Sequence, residues 1–325
     1  MFRTALPPTS ASFQVQHDQS LLSLGSCFAS SMGDRLERNK FNILVNPFGT
    51  LFSPMAINRI LRVVLGIEEF SEDKIIHREG VYLHYDMHSA LSAAQKFDLL
   101  TKIKSKVKNL QDWLQTSQPI LLLTLGTAFS YQLKDSQVSV ANCHKQPSKL
   151  FDKVLLQPAQ IASALSETFD ELKARNPSLK IILTVSPVRH TKDSLPLNTV
   201  SKASLRLAAH ELAEKHHDLV HYFPSYEIMM DDLRDYRFYK ADLIHPNDQA
   251  ENYIWEHFSQ GFFSKETQSI VSKWQKIQQA IAHKPFNPES EGHQRFLQDT
   301  LSQLGTLAGQ LNVDAEIALI KAQIK

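Results

Sequence analysis

At 325 residues and 42% hydrophobic, the chain is long enough to bury the core of one large domain, or of a domain with an appendage. Its 35 basic and 34 acidic residues leave no field to hold a polyanion, and no Lys/Arg-rich run stands out, which sets nucleic-acid binding aside. The opening "MFRTALPPTSASFQVQHDQS" lacks a signal-peptide core, "PILLLTLG" is too short to span a bilayer, and two cysteines make no disulfide framework, so a cytoplasmic protein with free thiols and no membrane partner is expected.

In chain order, five short apolar or β-rich runs predict strands: "LLSLG" (21–25), "NILVN" (42–46), "PILLLTLG" (119–126), "KIILTVS" (180–186) and "DLVHYF" (218–223). Helical patterns lie between them. Ser53-Pro54 caps a helix carrying Ile57, Ile60, Leu61 and Val64 that ends at Gly66. Residues 158–175 place Ile161, Leu165, Phe169 and Leu172 on one face, and 199–216 repeat the pattern with Leu205, Ala208 and Leu212. Strand and helix alternating in this way imply an α/β fold, a mostly parallel five-stranded sheet with helices on both faces, in three layers.

Two stretches depart from the alternation. Residues 67–117 form an insertion with "VYLHYDMHS" and a Lys-rich amphipathic helix, and 128–150 look like a β-hairpin turning near "KDSQ". Beyond residue 263 the chain turns to polar helices. These expectations divide it into a domain at 1–263 and a helical hairpin at 264–325, packed on the domain or on a second subunit of a homo-oligomer.

Ligands of open α/β sheets bind outside the carboxyl ends of the strands, so the residues just after each strand are the candidates. They are Ser26 and Cys27, the "NPFGT" segment with Gly49, Gly126-Thr127, Arg189 and His190 in "SPVRH", and Asp242 and His245 in "DLIHPND". Nucleophilic acyl transfer unites them. A serine hydroxyl needs an imidazole to take its proton and a carboxylate to orient that imidazole, and Asp242 and His245 supply both from one loop. A serine at a helix N-terminus also faces its N–H groups and the helix dipole toward an oxyanion, and Gly49 lets a second backbone N–H approach.

These motifs resemble those of the GSCFA family. Gly25-Ser26-Cys27-Phe28-Ala29 matches its name-giving motif, and "NPFGTLFSP", "LTLGTAFSY", "VANCHKQP", "TVSPVRH", "YFPSYEIMMDDLRDYRFYKADLIHPN" and "YIWEHF" look like the rest, over roughly residues 20–260. That family is similar to the SGNH or GDSL hydrolases. The resemblance implies a three-layer, flavodoxin-like α/β/α fold without a cofactor, Ser26 as nucleophile, Asp242 and His245 as the Asp-x-x-His pair, and Gly49 as an oxyanion donor. One position departs, because Ala128 stands where a Gly-x-Asn block has its donor asparagine. Thr127 or Asn142 is then the third donor, with Asn142 preferred, since an amide N–H is the commoner one.

Rival readings remain. Cys27 sits at the same helix N-terminus, with His144 beside Cys143 as an imaginable partner, although a free cysteine is more often a small buried hydrophobe. In "HYDMH", period-two alternation puts His84, Asp86 and His88 on one strand face, a set that suits zinc or iron. Asp86 and His88 are otherwise expected at the substrate entrance. An inactive interaction protein working through its helical tail is a third class, against which the intact Ser26, Asp242 and His245 speak. The expected function is hydrolysis or transfer of an O-acyl ester on a carbohydrate or other polar small molecule, with Arg189 and His190 favouring a polar or anionic substrate and no bound metal.

Overall fold

The computed structural model describes residues 4–324. Its first half contains β1 (Ser20–Gly25), α1 (Cys27–Arg38), β2 (Asn42–Val45), α2 (Pro54–Val64), β3 (Ile75–Arg78), β4 (Val81–His84) and α3 (Lys96–Leu114). There follow β5 (Ile120–Leu125), β6 (Phe129–Leu133), β7 (Ser139–Val140), β8 (Phe151–Leu155), α4 (Pro158–Arg175), β9 (Lys180–Val185), α5 (Leu195–Lys215) and β10 (Val220–Tyr222). A single turn, α6 (Ser225–Glu227), runs into a π-helical turn, and α7 (Asp248–Phe262), α8 (Lys265–Ala282), α9 (Glu291–Leu307) and α10 (Asp314–Lys321) complete the chain.

The main sheet has the order β10-β9-β5-β1-β2, and every adjacent pair is parallel. The central strands are buried on both faces, and successive residues join two different cores. Leu22, Leu24, Leu121, Leu123, Ile181 and Leu183 pack with Ile57, Leu110, Leu165 and Leu205, from α2, α3, α4 and α5. One residue out of step, Leu21, Ile120, Leu122 and Ile182 meet Phe28, Leu36, Ile254 and Phe258, from α1 and α7. The sheet is therefore the middle of three layers, as the five runs predict. Because β1 lies between β2 and β5, the strand order reverses beside it, and the crevice of such a sheet opens at the carboxyl ends of β1 and β5.

Local signals place the helices close to expectation. Ser53 and Pro54 start α2, and Gly66 follows its end at a φ of 74°. Pro158 opens α4, while α5 begins at Leu195, four residues early, because Ser194 accepts the Leu197 N–H and Pro196 suits a first turn.

The insertion differs from a simple rim. Its helix α3 buries Leu99, Ile103, Leu110 and Trp113 and belongs to one of the layers, with the Trp113 indole N–H on the Ser20 carbonyl at 3.1 Å. The expected hairpin forms between β6 and β7, and β8 pairs with the other edge of β6 to give three antiparallel strands. The tail is also larger than a hairpin. Helix α10 joins α8 and α9 around Ile270, Trp274, Leu297, Leu304 and Ile320, a core of its own. It docks on the end of α1. The Trp274 and Gln278 side chains donate to the Arg38 carbonyl at 2.7 and 2.8 Å, and Lys40 pairs with Glu316 at 2.7 Å. A carbonyl at a helix end lacks an intrahelical donor, so these contacts satisfy a group that would otherwise need water. No helix among the described residues is long and apolar enough to cross a membrane.

Candidate functional site

The turn after β1 is held by backbone contacts that leave no room for a side chain. Gly25 has a φ of 136°, and a Cβ there would lie 2.1 Å from the Thr124 carbonyl oxygen, so only glycine fits. Ser26 then caps α1, its hydroxyl accepting the Phe28 N–H at 3.2 Å, and the residue is fully buried. Its own N–H donates to the Thr124 carbonyl at 3.3 Å.

Asn46, which sequence reasoning passed over, secures this turn from the position just after β2. Its side-chain oxygen accepts the Gly25 N–H at 2.9 Å, and its amide donates to the Ser30 hydroxyl at 2.8 Å and the Ser26 carbonyl at 3.4 Å. Asn46 adopts a φ of 38°, a left-handed conformation that asparagine tolerates better than most residues. Its position as the last residue of "NILVN", just before "PFG", is the signal that could have found it.

The second half of the site lies on an exposed loop. The Asp242 carboxylate accepts the backbone N–H groups of Ile244 and His245 at 2.9 and 3.0 Å, and its second oxygen meets His245 Nδ1 at 2.7 Å. These donors, the His245 and Ile244 N–H groups first and the imidazole after them, hold the Asp242 carboxyl well below the usual carboxylate range. Lys240 N–H on the His245 carbonyl closes the loop at 2.8 Å, and Arg189 N–H donates to the Ile244 carbonyl at 3.2 Å. The pair therefore sits against the segment after β9, at the same sheet edge as Ser26. No hydrogen bond joins Ser26 to His245; the serine hydroxyl is on Phe28, and the imidazole on Asp242.

The expected oxyanion donors fare unevenly. Gly49 is required at its place, since a Cβ there would come within 2.3 Å of the His88 side chain. Its N–H, however, closes a turn on the Asn46 carbonyl at 2.7 Å. Thr127 is engaged as well: its hydroxyl meets Ser201 at 3.0 Å and accepts the Phe129 N–H at 3.1 Å. The oxygen of Asn142 accepts the His144 N–H at 2.8 Å, so Asn142 does close a turn, while its amide nitrogen has no partner among the described residues. Two backbone donors near Ser26 are open instead. The N–H of Cys27, first in α1, has no acceptor among the described residues, and nor has that of Thr50, next to Leu51, whose N–H bonds the Gly25 carbonyl at 2.8 Å.

Arg189 and His190 flank the Asp242 loop. The Arg189 guanidinium stacks over Tyr239 at 4.1 Å and lines a cavity of about 430 Å³ with Tyr226, Tyr236 and Arg234. Burial, with Lys202 behind it, draws the His190 pKa down to about 4, and its Nε2 is buried with no hydrogen-bond partner.

The strand face expected for a metal does not form. Strand β4 ends at His84, whose Nε2 meets the Ser71 carbonyl at 3.0 Å and whose Nδ1 accepts the Asp86 N–H at 3.1 Å. Asp86 is buried in an ion pair with Lys74 at 2.9 Å, with Arg59 at 3.4 Å, rather than free at an entrance, and His88 Nδ1 accepts the Ala90 N–H. No group of three or more His, Cys, Asp or Glu side chains that could hold a metal ion occurs among the described residues. The rival thiols are no better placed. Burial pushes Cys27 up from its ordinary pKa and Cys143 up to about 11, away from the reactive thiolate. His144 Nε2 meets the His84 carbonyl at 2.8 Å.

No curated protein matches the chain. The GSCFA domain protein C-terminal domain matches residues 274–325, which cover most of the separate tail core. With the GSCFA family matching residues 20–258, a span that holds the whole parallel sheet, Ser26, Asp242 and His245, the chain belongs to the GSCFA family.

Proposed function

We propose that the chain is a serine hydrolase or acyltransferase acting on an O-acyl ester of a carbohydrate or other polar small molecule. The observation that carries this reading is the Asp242–His245 pair, with its carboxylate set by two backbone N–H groups and its imidazole held through Nδ1 at 2.7 Å. That arrangement leaves Nε2 as the basic nitrogen, the tautomer a serine nucleophile requires. In this mechanism the Ser26 hydroxyl leaves the Phe28 N–H for this base, which takes the proton as Oγ attacks the acyl carbonyl. Negative charge then develops on the carbonyl oxygen at the N-terminus of α1, where the Cys27 and Thr50 N–H groups are open and the helix dipole favours an anion. Collapse of the tetrahedral intermediate returns the proton through His245 to the leaving alcohol, and water or an acceptor hydroxyl releases the acyl group. Arg189, beside the Asp242 loop, binds a polar or anionic part of the substrate.

A fluorophosphonate probe followed by peptide mapping tests the assignment. Covalent label on Ser26, abolished in Ser26→Ala and His245→Ala, is expected. Label on Cys27, or none at any residue of the folded protein, overturns it.

A further inference from the structure

Helix α5 carries one lysine on the face it turns to the core. Lys202 lies three residues before Leu205 and six before Ala208, both fully buried, and is itself only 1% exposed. Among the described residues no carboxylate pairs with it. Its ammonium donates to two backbone carbonyls, Gly126 after β5 and Ser186 after β9, each at 2.7 Å.

An ammonium buried without a counter-ion is costly to desolvate even after relaxation, whereas a methionine would fill similar volume with no charge to desolvate. Packing alone therefore does not account for it; its place in the fold does. Gly126 and Thr127 both donate their N–H groups to the Phe52 carbonyl at 3.0 Å, and Leu51 donates to Gly25, so the Gly126 carbonyl belongs to the same backbone network as the Ser26 turn. Lys202 extends that network to β9. Its charge acts on Cys27 at the start of α1 and on His190 after β9, and the Tyr226 ring faces it at 5.9 Å. In a poorly solvated interior such a charge acts over several ångströms.

We propose that Lys202 is a positioning residue of the serine site: it locks the ends of β5 and β9 together and sets the positive potential beneath the Ser26–Cys27 turn that steadies the oxyanion. The oxyanion part rests on the serine-hydrolase reading; the placement of the charge does not. Ala128 leaves the block after β5 without a donor side chain, and a cation fixed to the Gly126 carbonyl compensates electrostatically.

Burial draws the Lys202 pKa down from 10.5 to about 7. The charged form is the useful one, so its contribution is present at lower pH and is lost as pH rises through about 7. The three titratable groups named beside it are all shifted away from that range. Burial raises the Cys27 thiol and the Tyr226 hydroxyl above their ordinary values, and His190 is held near 4.

The test follows the rate of Ser26 modification by a fluorophosphonate from pH 5.5 to 9.5 in the wild type, Lys202→Arg and Lys202→Met. The wild-type profile is expected to lose about tenfold relative to Lys202→Arg across the alkaline limb, since arginine stays charged throughout. Lys202→Met is expected to react about tenfold more slowly at low pH and to show no such limb. Iodoacetamide alkylation of Cys27 at pH 6.5 is read in parallel, slowed severalfold in Lys202→Met and not in Lys202→Arg. A Ser26 that never labels, with the Cys27 pattern as stated, overturns the hydrolase reading and leaves the charge where it is proposed. Profiles and alkylation rates unchanged by both substitutions overturn the proposal. If neither variant folds, Lys202→Gln is read in the same two assays, and Ser26 and Cys27 rates equal to those of the wild type overturn the proposal.

Discussion

The turn after β1 and the loop before α7 supply the two halves of the proposed site, and they are built in opposite ways. Ser26 is fully buried, and the turn it lies in is tied down by Thr124, Asn46 and Leu51, so geometry there is inseparable from stability. Asp242 and His245 are partly exposed, and their geometry comes from hydrogen bonds within a few residues. One half is positioned by the tertiary core, the other by its own loop. In the proposed mechanism, a nucleophile on a rigid turn and a base on a self-contained loop would separate what must not move from what can shift toward substrate.

Substitutions should separate the two halves by their effect on stability. The largest loss is expected from Asn46→Ala, which strands the buried Gly25 N–H and the Ser30 hydroxyl and should lower unfolding free energy by about 3 kcal/mol in urea titrations. A loss under about 1 kcal/mol would mean that water replaces the side chain and that the turn is less tightly held than its contacts imply. Ser26→Ala removes a helix cap and should cost about 1 kcal/mol while abolishing fluorophosphonate labelling. His245→Ala should abolish labelling as well but shift unfolding by no more than about 0.5 kcal/mol, as for other exposed side chains. Equal stability costs for Ser26→Ala and His245→Ala would erase the contrast.

A separate effect sharpens the comparison through pH. His190 is neutral in the folded chain, with a pKa near 4 against an ordinary 6.5, so between these values the unfolded chain binds the extra proton. Stability from this group is intact above pH 6.5 and falls as pH drops toward 4. His84 and His144, whose pKa values burial also lowers, act in the same direction. Melting temperature should therefore decline across that acid range, and His190→Gln should flatten the decline without removing it. Smallest of all is Cys27→Ala, expected to leave Ser26 labelling within about twofold of wild type; complete loss would return the thiol to contention.

Much of this was legible in the residues. The five strand runs and the helices after Ser53 and Gln157 carry their own apolar period and caps, and Asp-x-x-His presets its own pair within four residues. What was missed lies across the chain. Thr127 is 74 residues from the Ser201 hydroxyl that occupies it, and Asn46 is 21 from the Gly25 N–H it accepts. Lys202 shares the apolar face of α5 with Leu205, a signal present in the sequence, yet its acceptors, Gly126 and Ser186, come just after two strands distant in the chain. The "HYDMH" run was misjudged for a local reason. Alternation holds only while the strand does, and β4 stops at His84.

The sequence by itself determined the parallel sheet, the serine at the first strand end and the acid–imidazole pair, because each follows from side-chain period or from contacts within one turn of chain. Only the tertiary structure decided which N–H groups around the Ser26 turn are left without an acceptor among the described residues. Those of Gly49 and Ser26 are taken by the Asn46 and Thr124 carbonyls, and those of Cys27 and Thr50 are not. A backbone donor is identical at every residue but proline, so its availability depends on which acceptor the fold brings to it.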